Sequence, residues 1–235
     1  MDLSDWTQIH THILQFEQEG LVTRTFRRLD PERQQAILNA ILDEAIEKGP
    51  TSLNIKQVAE RAGVAVGSLY TYFGSREGLL DFAIELCVRY MTDAFNSYRP
   101  YLLALPLRQA LAAYLTGGVE WSRTQAGLVQ FFVRAAYHHG DPELAERVVR
   151  PIATTLREMV HDMLTQAAAR GEIRADVDLE ATTRVVHALT IAIGDSQILP
   201  YLNTYFQAVD EDIPPERILD ALVTLILRGI GTAQR

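Results

Sequence analysis

Few side chains in this sequence are spaced to do covalent or metal chemistry. His10-Thr11-His12 and His138-His139 pair imidazoles closely, but no cysteine or carboxylate stands at the spacing a tetrahedral site needs, so no metal is expected. Gly194-Asp195-Ser196 superficially matches a nucleophilic-serine motif. It lies inside an apolar helical run with no strand before it, which removes the strained strand-to-helix turn that activates such a serine. Cys87 is the one cysteine in the chain. Alone it forms no intrachain disulfide, fits a reducing cytoplasm, and reads as a small core side chain. With no assembled nucleophile, base or metal set, neither an enzyme nor a bound cofactor is expected.

The informative stretch is Asn54 to Leu80, where spacing builds two short helices around a tight turn. Asn54 is placed to cap the first helix, with Gln57 three residues on to return the bond, as in a capping box. Val58 and Ala59 point inward, Ala59 being small enough for a second helix to cross closely. Gly63 falls where the turn needs a left-handed backbone, which glycine adopts without steric cost. Val64 and Leu69 give the second helix its apolar side. Helices joined by so short a turn cross steeply, leaving the second free to project into a DNA major groove. An ordinary helical hairpin of an all-α protein has the same Ala59, Gly63, Leu69 spacing, and that spacing alone leaves both readings open.

Residues in and just beyond the second helix narrow the choice. Gly67-Ser68-Leu69-Tyr70-Thr71-Tyr72-Phe73, then Ser75-Arg76-Glu77 and Leu79-Leu80, resembles the DNA-binding domain of the TetR/AcrR family of bacterial regulators, over about residues 31 to 85. Ala65 departs from the family pattern, standing where a Ser or Thr cap is usual. Gly74 and Gly78 stand where Lys and Glu are common. The resemblance implies a dimeric one-component transcriptional regulator, with repression the more common outcome and a small-molecule effector as its signal.

Roles on DNA can be assigned from residue types. Tyr70, Tyr72, Arg76 and Lys56 are the expected phosphate contacts, which position a helix on DNA without reading its sequence. Base reading falls to Val66, Gly67, Ser68 and Thr71. None of these can make a bidentate contact, so recognition is expected through thymine methyl groups against Val66 and Thr71, with single hydrogen bonds from Ser68 or Thr71. Arg24, Arg27 and Arg28 form either a basic arm for the DNA backbone or adjacent minor groove, or a solvated linker.

The chain has 235 residues, 48% of them hydrophobic, and a net charge of −8. That length holds a small DNA-binding unit and a larger helical one. The acidic balance argues against a protein that coats nucleic acid, so any DNA footprint must be local and basic. No stretch approaches the ~18 apolar residues of a membrane span. The acidic start, Met1-Asp2-Leu3-Ser4-Asp5, lacks an apolar signal core, so a cytoplasmic location is expected.

Periodicity predicts an all-α fold: an N-terminal three-helix helix-turn-helix domain, then a helical ligand-binding and dimerisation domain. Residues 1–29 are read as an extension with an amphipathic helix over 4–19, carrying Trp6, Ile9, Ile13 and Phe16, and the basic arm. Residues 30–80 are the DNA-binding domain and 81–235 the effector and dimer domain. Asp30-Pro31-Glu32 opens the first core helix. A later helix from Ser75 is expected to break at Arg99-Pro100. Further helices are read over 106–122, 125–138, 142–170, 179–199 and 215–232, with Pro151 kinking or splitting the third.

The last two long helices carry more apolar surface than a lone pair can bury. Leu189, Ile193, Leu222 and Ile226 are the expected homodimer contacts, forming a four-helix bundle with a second copy. Tyr90, Tyr114, Trp121, Phe131, Phe132, Tyr137, Met159 and His187 are proposed to wall a pocket for an apolar or aromatic effector. The competing reading is a helical effector-binding or scaffold protein whose helix-turn-helix no longer binds DNA, motivated by the weak basicity and by Ala65.

Overall fold

The computed structural model describes residues 6–137, 142–210 and 212–232, the side chains of 6–11 excepted. Among the described residues all regular structure is helical, apart from one isolated bridge between Ile173 and Gly231. The residues divide into two compact units. The first contains those of 1–91 and 125–148, the second those of 92–124 and 149–235.

In the first unit, α1 (Trp6–Gln18) places Ile13 and Phe16 in the core. Trp6 and Ile9 carry side chains outside the described set. A short α2 (Arg24–Arg27) comes next, capped by Thr23. Then α3 (Pro31–Lys48) opens on Asp30, whose Oδ1 accepts from Arg33 N at 2.9 Å, and stops at Gly49, φ +85°. Its inner face is Ile37, Leu38, Ala40, Ile41, Leu42 and Ala45. Helices α4 (Ile55–Arg61) and α5 (Val66–Phe73) are joined through Gly63 at φ +64°. The rings of Phe16, Phe26, Phe73 and Phe82 pack together, with Phe73 and Phe82 centroids 4.6 Å apart.

Helix α6 (Arg76–Ala104) corrects the expected break at Arg99-Pro100, since it runs straight through Pro100. A proline removes one intrahelical bond, and here the groups on either side of it hold the helix in place. Arg99 pairs with Asp162, and Leu102 is buried in the second unit's core. That unit also holds α7 (Leu107–Thr124), α10 (Arg150–Ala169), α11 (Leu179–Ile198), α12 (Pro200–Phe206) and α13 (Pro215–Ile230). Periodicity did not predict α12. Pro200 starts it, Gln207 stops it in the left-handed region, and Asn203 ties the loop beyond to its own side chain.

The first unit gains α8 (Ala126–Tyr137), which packs on α3. Gly127 permits this contact, because a Cβ there would lie 2.8 Å from the Ala45 carbonyl oxygen and would collide with that of Ile46. The short α9 (Pro142–Leu144) leads into a π-helical turn, Ala145–Val149, just before Pro151. The break expected at that proline is thus taken up by a wider turn before it. His138 and His139 lie outside the described residues.

Candidate functional site

The recognition helix candidate α5 is fixed at both ends. At its start Ala65 accepts the first backbone bond, from Ser68 N at 2.9 Å, but supplies no side-chain cap. At its end Thr23 Oγ1 donates to the Thr71 carbonyl and Thr23 N to that of Tyr72, at 3.0 and 2.8 Å. Between these anchors Leu69 is buried, Gly67 and Thr71 are exposed, and Val66 and Ser68 are half-buried. The four base-reading candidates therefore sit on a helix whose position is set from outside it.

Two buried polar residues of α3 do this positioning, and sequence reasoning missed both. Gln34 Nε2 donates to the carbonyls of Phe26 and Arg27, each at 3.0 Å, which fixes α2. Glu44, 0% exposed, accepts from Lys48 Nζ at 2.6 Å and from Asn54 N at 3.2 Å, and its other oxygen lies 3.4 Å from Arg61. Asn54 caps α4 by accepting from Gln57 N at 3.4 Å. The return bond expected from Gln57 comes instead from Glu44, because Gln57 Oε1 is turned to Lys48. The available signal was a polar residue at positions 34 and 44 of an otherwise apolar helix face.

The cations divide into two sets. Arg27 is half-buried and pairs with Glu17, and Arg61 pairs with Glu47 and Glu44. Arg89 bonds Glu19 at 2.6 Å and Glu85 at 2.9 Å and lies over the Phe16 ring. By contrast Arg24, Arg28, Lys56 and Arg76 are exposed, and no ion pair among the described residues holds them. Arg24 and Arg28 do not form an extended arm: the segment is helical and anchored by the buried Phe26. Tyr70 is half-exposed. Tyr72 is only 8% exposed, its ring 5.9 Å from that of Phe26, so packing accounts for most of it. At the start of α6, Ser75 Oγ accepts from Gly78 N at 3.0 Å, and bonds to its own backbone and to Ser75 hold the Glu77 carboxyl below its usual range.

Residues 37–82 match bacterial regulatory proteins of the tetR family, and residues 106–192 match a tetracyclin repressor-like C-terminal domain. The chain belongs to the TetR family. It is 26% identical to the HTH-type transcriptional repressor KstR2 of Rhodococcus jostii (strain RHA1), over 65% of this chain and 73% of that one. It is also 26% identical to the HTH-type transcriptional regulator BetI 1 of Chromohalobacter salexigens, over 51% of this chain but only 60% of that protein. The fold is that of SmeT, solved with triclosan, at TM-score 0.63 and 15% identity, covering 86% of this chain and 93% of that one. As a TetR-family member the chain is a DNA-binding transcriptional regulator, and α4 and α5 are its helix-turn-helix.

The expected pocket residues are split. Tyr90, Phe131, Phe132 and Tyr137 fall in the first unit, where Phe132 is buried and Tyr137 exposed on α8. Tyr114, Trp121, Met159 and His187 fall in the second. There Trp121 packs edge-on against Phe95 at 5.1 Å. Burial pushes the Tyr114 hydroxyl up to about 12, with nearby Asp195 adding to the shift and a bond to Thr190 opposing it. His187 is held below the usual imidazole range by burial and by the charge of Arg157. A cleft of about 140 Å³ between α10 and α11 is lined by Arg157, Glu158, His161, Glu180 and Thr183.

The expected dimer contacts also need revision. Leu222 and Ile226 are 4% and 6% exposed within their own unit, so they have little surface to give a partner. Ile193 is partly buried against the same core. The apolar surface left open on α11 and α13 is Val185, Leu189 and Leu225, with Val185 59% and Leu225 64% exposed. Ser196 Oγ donates to Ala192 O at 2.6 Å inside α11, spent on its own helix rather than presented as a nucleophile. Cys87 is buried, which raises its thiol and keeps it protonated. No helix among the described residues is long and apolar enough to cross a membrane.

Proposed function

We propose that this chain is a homodimeric repressor that leaves its operator when a small molecule binds the second unit. The observation that carries the DNA half is the division of its cations. In an acidic chain, Arg24, Arg28, Lys56 and Arg76 around α5 have no ion-pair partner among the described residues, while Arg27 and Arg61 are paired off. Phosphate contacts are assigned to Arg76, Lys56, Tyr70 and the exposed Arg24 and Arg28, with Tyr72 adding mainly its ring. Val66, Gly67, Ser68 and Thr71 read the bases, chiefly as methyl contacts with thymine.

Two recognition helices must stand about one DNA turn apart, ~34–36 Å, to grip a two-fold operator. Pairing of Val185, Leu189 and Leu225 with a second copy supplies that symmetry. An effector then acts by preferring a dimer with a different spacing. Helix α6, shared by both units, is the element assigned to pass the change on. That SmeT is solved with triclosan supports a small-molecule ligand.

The test is a mobility-shift titration on the DNA upstream of the protein's own gene, repeated across a salt series. A repressor gives a sequence-dependent complex that competitor DNA does not remove. Salt-sensitive binding blind to sequence would favour the scaffold reading.

A further inference from the structure

The inner face of α11 is more polar than a core helix requires. Thr183, His187, Thr190, Gly194 and Gln197 recur at steps of four and three, so they share one side of the helix. Two of them are already engaged. Thr183 Oγ1 donates to the Leu179 carbonyl and lies 3.5 Å from His161 Nδ1, while Thr190 Oγ1 donates to the His187 carbonyl and is bonded to Tyr114. The other two polar groups are not. His187 Nδ1 and both side-chain heteroatoms of Gln197 are enclosed and meet no hydrogen-bonding partner. Between them Gly194 leaves room, since a Cβ there would have nothing within 4 Å.

Enclosed polar groups nearly always find partners, and an amide with neither donor nor acceptor paired costs stability. Space beside it is what a ligand head would fill. We propose that this face of α11 reads the effector, and that the effector is an uncharged amphipathic molecule whose head both donates and accepts hydrogen bonds, as a lactam or carboxamide does.

The unpaired groups set the chemistry of that head. Gln197 offers a donor and an acceptor in one plane, whose complement is another amide. Depression of the His187 titration keeps that ring neutral, so it adds one donor or acceptor and no charge. The body of the molecule is apolar because Tyr114, Met159 and Val186 of the same unit form part of its apolar cluster. Thr183 also lines the open cleft between α10 and α11. At about 140 Å³ that cleft is smaller than a pocket for a drug-sized ligand, which makes it an entrance rather than the seat.

This inference rests on the effector-responsive reading and sharpens its ligand from apolar to amide-bearing. Its test uses the full-length protein and two matched pairs of probes, 2-quinolinone with naphthalene and benzanilide with trans-stilbene. Binding is followed by calorimetry and thermal shift, operator release separately by fluorescence anisotropy. Each amide should bind at least tenfold more tightly than its hydrocarbon partner, and Gln197→Met should erase that ratio. The same substitution should raise the melting temperature of the ligand-free protein by about 2–4 °C, because it removes unpaired groups.

Equal affinity within the pairs, or no binding by any amide, overturns the proposal. So does a Gln197→Met protein that melts lower or loses its dimer, since the amide then has a structural or partner-subunit bond. Amides that bind through Gln197 yet leave operator affinity unchanged keep this inference and remove the effector reading instead.

Discussion

The two units put their buried polar side chains to different use. In the first, Gln34 and Glu44 lie inside the core and each is tied to backbone groups, so that α2 and α4 are held against α3. In the second, His187 Nδ1 and the Gln197 amide are enclosed without partners. Single oxygens are left over in the first unit too, Gln34 Oε1 and Asn39 Oδ1, but Gln34 still ties backbone through its Nε2, whereas neither polar atom of the Gln197 amide is bonded. A DNA reader gains from fixed geometry, because a helix displaced from the groove loses several contacts together. A sensor has to leave some bonds for its signal to make.

Removing a tie from the rigid side puts this contrast under the heaviest strain. Glu44→Ala leaves Asn54 N unbonded and removes the buried partner of Lys48 and Arg61, which keep Gln57 and Glu47, so it should cost about 1–3 kcal/mol. Chemical denaturation measures it, and a cost near that of an exposed residue would show that Glu44 is not the fastening point. Gly127→Ala should come next. Its methyl group must push α8 off the carbonyls of Ala45 and Ile46, for a loss of about 1–3 kcal/mol and a lower melting temperature.

Smaller effects separate the two sets of arginines. Arg76→Ala and Arg24→Ala should each weaken binding about equally on every operator variant and lower the salt slope by about one unit, with little change in stability. Arg27→Ala should do the reverse, costing up to about 1 kcal/mol of stability through its ion pair with Glu17 and leaving the salt slope alone. Exchange of these outcomes would mean that the pairing of Arg27 opens on DNA.

The smallest expected effect lies on the sensor side. The His187 pKa is depressed on folding, so the folded state binds fewer protons than the unfolded one as the pH falls below the usual imidazole value of 6.5. Its contribution is fully present above 6.5 and is lost as the pH falls towards and below the depressed folded value. His187→Asn should therefore flatten the stability profile below about pH 6.5, measured by denaturation at a series of pH values.

What the sequence made legible divides along the same lines. Turn glycines, the Asp30 and Asn54 caps and the periodicity of apolar residues are local signals, and they located α3, α4, α5 and α11 closely. What was missed depends on contacts distant in the chain. Pro100 promised a helix end, but Arg99 bonded to Asp162 and the buried Leu102 carry α6 past it. Phe131 and Phe132 looked like pocket walls by composition, while Gly127 lets their helix lie on α3. Leu222 and Ile226 looked like partner contacts because one apolar stripe cannot say which of its residues its own unit will cover. The site shows the same limit: the exposed residues of α5 were readable, whereas the pairing of Arg27 and Arg61 was not.

Helix α6 constrains anyone who would splice this regulator to another sensor. Its 29 residues span roughly 43 Å at 1.5 Å per residue and belong to both units, so there is no linker at which to cut. A junction must fall inside the helix and keep its phase. One inserted residue turns the helix beyond it by about 100° and strains the return of α8 to α3, whereas seven bring it back to within about 20°. Chimeras of this protein should therefore work or fail in steps of seven, and a series of insertions after Met91 would reveal that rhythm as recurring windows of operator binding and response.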